Sequence, residues 1–139
     1  MISAAIVGLG WWGRHIVTSL NGNDKLRITR GVEPRLEALN LLRSEARFPV
    51  TSSLDDALRD DGIDAIVLAT PHSTHEEQII RSAQAGKHVF AEKPLTLTRG
   101  SAERAINACD RAGVVLGIGH ERRFEPAMEA IEELVRSES

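Results

Sequence analysis

Gly8-Leu9-Gly10-Trp11-Trp12-Gly13 directly follows the apolar run Ala4-Ala5-Ile6-Val7. Three glycines at that spacing, between a strand and a helix, shape a main chain that a phosphate can approach closely. Gly8 serves the tight turn, Gly10 gives a pyrophosphate access to the backbone, and Gly13 lets the helix pack on the strand. Free N–H groups at the start of that helix then face the anion. Twenty positions after Gly13, Glu33 ends the expected second strand, Arg27-Ile28-Thr29-Arg30-Gly31-Val32. A carboxylate there can accept hydrogen bonds from the adenosine ribose hydroxyls and repel a 2′-phosphate, so NAD is expected ahead of NADP. Arg35 pulls the other way, because a guanidinium two residues on could stack on adenine or pair with a phosphate. In Ala91-Glu92-Lys93-Pro94-Leu95, Lys93 could donate to a substrate oxygen where charge develops during the reaction, with Glu92 orienting it or meeting the cofactor.

The elements that must position these residues alternate along the whole chain. Strands are expected near 2–7, 26–32, 48–50, 64–69, 87–91 and 114–118, and helices near 12–21, 34–46, 53–60, 73–85, 98–112 and 125–137. Val114 to Ile118 is apolar throughout, as in a strand covered on both faces. Ala102, Ala105, Ile106 and Cys109 form one helical stripe, and Ala127, Ile131 and Leu134 repeat the spacing. Ser73 with Glu76 reads as a capping box, Ser53 with Asp56 as a weaker one, and Gly62, Gly86 and Gly113 as left-handed helix ends. Six such units predict a single α/β domain of Rossmann type. Its six-stranded parallel sheet would be doubly wound in the order 3-2-1-4-5-6, with ligand at the switch beside strand 1.

Composition removes several classes of function. The formal net charge of −3 leaves no basic face for nucleic acid. No apolar run approaches the ~20 residues of a membrane span. A first strand from about residue 2 leaves no room for a signal peptide, and the single Cys109 suits a reducing compartment, so a cytoplasmic protein is expected. Cys109 lies on a helical stripe and reads as core. His72 and His75 precede Glu76-Glu77, but a loop entering a helix with no further ligand nearby in sequence makes no convincing metal site, and no metal is expected. His15 and His88 read as packed or surface residues.

Four blocks stand together in one order: the glycine run, Ala69-Thr70-Pro71-His72-Ser73-Thr74-His75, Ala85-Gly86-Lys87-His88-Val89-Phe90-Ala91-Glu92-Lys93-Pro94-Leu95, and Arg123-Phe124-Glu125-Pro126. In these the chain resembles the nucleotide-binding domain of the glucose–fructose oxidoreductase/inositol dehydrogenase (Gfo/Idh/MocA) family, over essentially its full length. The resemblance implies that Gly8, Gly10, Trp11, Trp12 and Gly13 line the pyrophosphate. It places Thr70, Pro71 and His75 in a loop bordering the cofactor, and Glu92 and Lys93 in the family's Glu-Lys-Pro motif, with the lysine at the nicotinamide and substrate. His72 stands where asparagine is common, and His120 where asparagine or tyrosine is often found. Family enzymes also carry a second domain that forms the substrate pocket and usually supplies a histidine acid/base; this sequence is expected to lack it, as a fragment or a naturally short product.

The function implied is hydride transfer between a nicotinamide cofactor and a secondary alcohol or carbonyl, of a sugar or cyclitol as small-molecule substrate. Residues 1–139 alone are expected to bind dinucleotide and turn over little, and could self-associate into a homo-oligomer. A non-catalytic, dinucleotide-binding regulatory protein is the alternative. Another oxidoreductase family on the same nucleotide fold is disfavoured by Glu92-Lys93-Pro94.

Overall fold

The computed structural model describes residues 1–35, 37–38 and 46–137. Among them, strands β1 (Ile2–Val7), β2 (Leu26–Val32), β3 (Val50–Thr51), β4 (Ala65–Leu68), β5 (His88–Glu92) and β6 (Leu116–Gly119) make one sheet. All the pairings are parallel and the order is β3-β2-β1-β4-β5-β6, as the alternation of elements predicts. Helices α1 (Trp11–Ser19), α2 (Leu54–Leu58), α3 (His75–Gln84), α4 (Arg99–Ala112) and α5 (Pro126–Ser137) lie between or after the strands. The helix expected over 34–46 falls mostly outside the described residues; Pro34 and Arg35 are irregular, while Glu37 and Ala38 are helical.

Alternation along the central strands builds two cores. Ala5 and Val7 of β1, with Ile66 and Leu68 of β4, face α2, α3 and α4 through Ala57, Ile79, Ala83, Ala105 and Cys109. Ala4, Ile6, Ala65 and Val67 face the other way, toward Leu9, Ile16, Val17 and Phe48. Fully burying a side chain of the size of Ile6, Ile66, Leu68 or Ile79 is worth about 1.5–3 kcal/mol, so the central strands are the most firmly held part of the sheet. That rigidity fixes the carboxyl ends of β1, β4 and β5, from which the candidate site projects.

Several local expectations need correction. β6 is an edge strand among the described residues and is not covered on both faces: Ile118 is 36% exposed, and Val115 just before the strand is 65% exposed. The buried stripe of α4 is Ser101, Ala105, Ala108 and Cys109, with Ile106 turned outward. On α5 the stripe forms but is uncovered, and no residue of that helix is buried. Ser73 and Glu76 make no capping box. A 3-10 turn over His72–Thr74 runs into α3, and Glu76 instead meets Arg104 of α4 at 2.6 Å. A capping box does form where none was expected, between Thr98 and Ser101 at the start of α4. Gly86 and Gly113 have positive φ as anticipated; Gly62 does not, its N–H bonding instead to the Asp60 side chain at 2.9 Å.

Candidate functional site at the carboxyl edge of the sheet

The turn after β1 is built by close approach. Gly8 has φ +89°, and a Cβ on it would lie 2.6 Å from the Ala69 carbonyl oxygen, so any side chain would force β1 and β4 apart. A Cβ at Gly13 would come within 1.9 Å of the Gly8 carbonyl oxygen, closer than any real contact. Gly10 differs. Its φ is −66°, nothing lies within 4 Å of the place a Cβ would take, and it caps α1 with no side-chain bond. The first intrahelical donor is the Arg14 N–H, to the Gly10 carbonyl at 3.1 Å, so the N–H groups of Trp11, Trp12 and Gly13 have no partner within the helix. An open wall of main-chain donors beside the carboxyl end of β1 suits a pyrophosphate.

Trp11 is 74% exposed, its ring stacked on His15 at 5.8 Å; Trp12 packs on the same imidazole at 5.0 Å, with a buried Nε1 that has no acceptor. Both indoles thus stand at the start of α1, in a three-ring cluster with His15, their own centroids 5.6 Å apart.

Glu33 is 2% exposed at the end of β2, its N–H bonded to the Thr51 carbonyl. Its carboxylate is fully engaged. Oε2 accepts from the Leu9 N–H at 3.2 Å and from Arg35 Nη2 at 3.0 Å. Oε1 accepts from the Arg35 N–H at 3.1 Å and from Arg35 Nε at 2.8 Å. The Arg35 guanidinium, assisted by the Arg35 and Leu9 main-chain donors, holds the carboxyl below the usual range, while burial pushes it up. Spacing alone pointed to Glu33, but not to the fork that covers it.

The loop after β4 sits against the glycine turn. Thr70 donates through its hydroxyl to Gln78 Oε1 at 2.6 Å, and its methyl would be 3.1 Å from a Cβ on Gly8. Pro71 is exposed. His75 is fully buried: Nδ1 lies 3.2 Å and 3.1 Å from the Pro94 and Leu95 carbonyl oxygens, and Nε2 lies 3.0 Å from the Thr70 carbonyl. Its imidazole therefore ties the loop after β4 to the loop after β5 from behind, and presents no surface to a ligand in this structure. With His75 so engaged and His72 exposed 6.5 Å from it, the pair shares no metal geometry, and no cluster of three potential ligands occurs among the described residues.

At the end of β5, Glu92 is half-buried opposite Gly119 of β6, and its carboxylate accepts from the Lys93 N–H at 3.4 Å. The Lys93–Pro94 peptide is cis. Lys93 lines an open cavity of about 390 Å³ together with Gly119, His120, Glu121, Arg122 and Arg123. One strand, β4, lies between β5 and β1, and two inter-strand spacings put the ends of β5 and β1 about 10 Å apart. A larger cavity of about 630 Å³ lies along α1 between Arg14, Asn21, Arg27 and Phe48 and holds none of the expected site residues.

Lys87, part of the Gly-Lys-His block, carries a role that its sequence context does not predict. It is buried at the opposite end of β5, and its Nζ donates to the Asp60 and Ile63 carbonyls at 2.9 and 2.8 Å. The only signal in sequence was its place just before an apolar strand.

Glycine turn, strand-end acid and strand-end lysine thus share one edge of a parallel sheet in dinucleotide-binding order. Over residues 2–120 the chain matches the model of Gfo/Idh/MocA, an oxidoreductase family with an NAD-binding Rossmann fold. The chain belongs to the Gfo/Idh/MocA family. Among its relatives, scyllo-inositol 2-dehydrogenase (NAD(+)) of Bacillus subtilis is 34% identical over 130 residues, which cover 91% of this chain and 37% of that protein. The 2,7-anhydro-N-acetylneuraminate hydratase of Escherichia coli is 32% identical over 98% of this chain and 36% of its own length. Among solved structures, the WlbA dehydrogenase of Bordetella pertussis, in complex with NADH and UDP-GlcNAcA, superposes with a TM-score of 0.92 at 30% identity, covering 98% of this chain and 42% of that one. The chain thus spans about two-fifths of the length of its Gfo/Idh/MocA relatives. Among the described residues no helix is long and apolar enough to cross a membrane.

Proposed function

We propose that this Gfo/Idh/MocA chain holds NAD along the glycine turn, and that Lys93 serves hydride exchange with a secondary alcohol or carbonyl on a sugar or cyclitol. The observation that carries the reading is the pairing of two open features on one sheet edge: main-chain donors of Trp11–Gly13 without partners in the helix, and, at the end of a strand about 10 Å along the edge, a lysine whose ammonium has no ion pair among the described residues. A pyrophosphate can come against the glycine turn, since the space beside Gly10 is empty and the N–H groups of Trp11 to Gly13 have no partner within the helix.

Trp11, Trp12 and Gly13 bind the pyrophosphate through N–H groups, aided by the positive end of the α1 dipole. Thr70 and Pro71 border the nucleotide from the loop after β4, and buried His75 positions that loop and the Lys93 loop together. Glu33 receives the adenosine ribose, with Arg35 beside it; NAD is favoured over NADP. Bound nicotinamide supplies the hydride acceptor or donor. Lys93 donates to the reacting oxygen, stabilising negative charge there, and Glu92 holds the Lys93 main chain. A proton acceptor is assigned to no residue of this chain, and a sugar or cyclitol as substrate is taken from relatives such as the scyllo-inositol dehydrogenases.

Calorimetry tests the binding half: NAD should bind residues 1–139 more tightly than NADP, and Glu33→Ala should weaken NAD. NADP bound more tightly than NAD by the unmodified chain would refute the role given to Glu33.

A further inference from the structure

The acceptor count at Glu33 contains more than a ribose contact. A carboxylate offers about four lone-pair positions, and four donors already occupy this one. Two of them are main-chain groups, Leu9 N–H and Arg35 N–H, which cannot leave without remodelling the glycine turn or the end of β2. The other two belong to the Arg35 guanidinium, whose side chain is 67% exposed while that of Glu33 is 3% exposed. Only the fork can move. It vacates one position on each carboxylate oxygen, because Nε sits on Oε1 and Nη2 on Oε2. A vicinal diol needs two such acceptors, and the adenosine ribose of NAD presents one in its 2′- and 3′-hydroxyls.

We propose that Arg35 is a displaceable cap on Glu33 that sets how strongly the site distinguishes NAD from NADP. The inference rests on the dinucleotide reading above. In the free chain the guanidinium satisfies a carboxylate that would otherwise be buried with two unfilled acceptors. NAD displaces it, exchanging the bidentate fork for two hydroxyl donors, and the opposing ion pair must first be broken. NADP offers one hydroxyl and a phosphate. The released guanidinium, two residues from Glu33, pairs with that phosphate bidentately and offsets its repulsion by the carboxylate. The cap therefore weakens NAD and strengthens NADP, narrowing a preference that Glu33 alone would make wide.

The test is calorimetric titration of NAD and NADP into the unmodified chain, Arg35→Ala and Arg35→Lys at two salt concentrations. Because Arg35 is an exposed surface residue, Arg35→Ala is expected to fold. In Arg35→Ala, NAD should bind about threefold tighter, because an ion pair whose guanidinium is largely exposed no longer has to be broken, and NADP about tenfold weaker. Arg35→Lys should fall between the two, and the salt dependence of NADP binding should be steeper in the unmodified chain than in Arg35→Ala. Unchanged affinities for both dinucleotides in Arg35→Ala, or a loss of NAD affinity, would overturn the cap. Failure of the unmodified chain to bind either dinucleotide would instead overturn the reading beneath it, and the cap would fall with it.

Discussion

The two ends of β5 carry a lysine each, and the two lysines could hardly be used more differently. Lys87, before the strand, is buried with its ammonium on two carbonyl oxygens of the turn after α2. Lys93, after the strand, is exposed and lines a cavity, with no ion pair to its ammonium among the described residues. One closes the amino edge of the sheet and the other leaves the carboxyl edge open. In a parallel sheet every connection that enters at the amino edge can be tied down, while the loops leaving the carboxyl edge face the ligand. The same residue type thus stabilises at one end and is available for chemistry at the other.

That contrast can be broken in measurable ways. The largest effect is expected at the open end: Lys93→Met, in a protein carrying this domain together with a substrate domain, should lower turnover by about 10²–10⁴-fold. Its melting temperature and NAD affinity should stay near those of the unmodified protein, and full activity would remove Lys93 from the chemistry. The reverse pattern is expected for Lys87→Met. Leaving two buried carbonyls without their charged donor should cost about 2–4 kcal/mol in denaturant unfolding, with NAD affinity nearly unchanged in the folded fraction. Equal stability of that variant would mean that the amino edge does not depend on the ammonium.

A smaller effect follows from acid. The folded carboxyl of Glu33 is held low chiefly by the Arg35 fork, and that of Asp60 by the Gly62 N–H and then by Arg30. A depressed carboxylate stabilises the fold above its unfolded value, about 3.9–4.3, and the contribution is lost as pH falls through the lower folded value. Melting temperature should therefore drop more steeply with acidification in the unmodified chain than in Glu33→Gln; parallel curves would contradict the coupling. Smallest of all, Arg104→Ala should cost less than about 1 kcal/mol, because its partner Glu76 lies across an exposed α3–α4 seam.

Much of the scaffold was legible because it is local or periodic. The glycine spacing, the strand runs and the place of Glu33 at a strand end are properties of neighbouring residues, and they led to the observed strand order. Cys109 reads as core on its stripe, and burial in fact pushes its thiol up. What the sequence hid depends on partners far along the chain or on side-chain direction. Val114 to Ile118 looks like a covered strand, but apolar content does not reveal that β6 is an edge strand among the described residues, with Ile118 partly exposed. Glu76 has the right spacing for a cap, yet Arg104, 28 residues away, takes its carboxylate. Lys87 and Lys93 look alike as letters, and only the third dimension separates an ammonium held by two carbonyls from one at a cavity wall. Likewise, Glu33 and Arg35 were each visible, while their fourfold saturation needed the position of the Leu9 N–H.

Gly10 offers the most direct test that the carboxyl edge exists for a dinucleotide. Its backbone needs no glycine and nothing occupies the space beside it, so Gly10→Val should fold, losing only the preference for glycine over valine at a helix N-cap, about 1 kcal/mol. The variant's melting temperature and its NAD affinity by calorimetry should part company. The account predicts a melting temperature lowered only by the small cost of the poorer helix cap, and NAD binding to the folded chain weakened by at least about tenfold, the equivalent of 1.4 kcal/mol. A Gly10→Val chain that binds NAD as tightly as the unmodified one would contradict it.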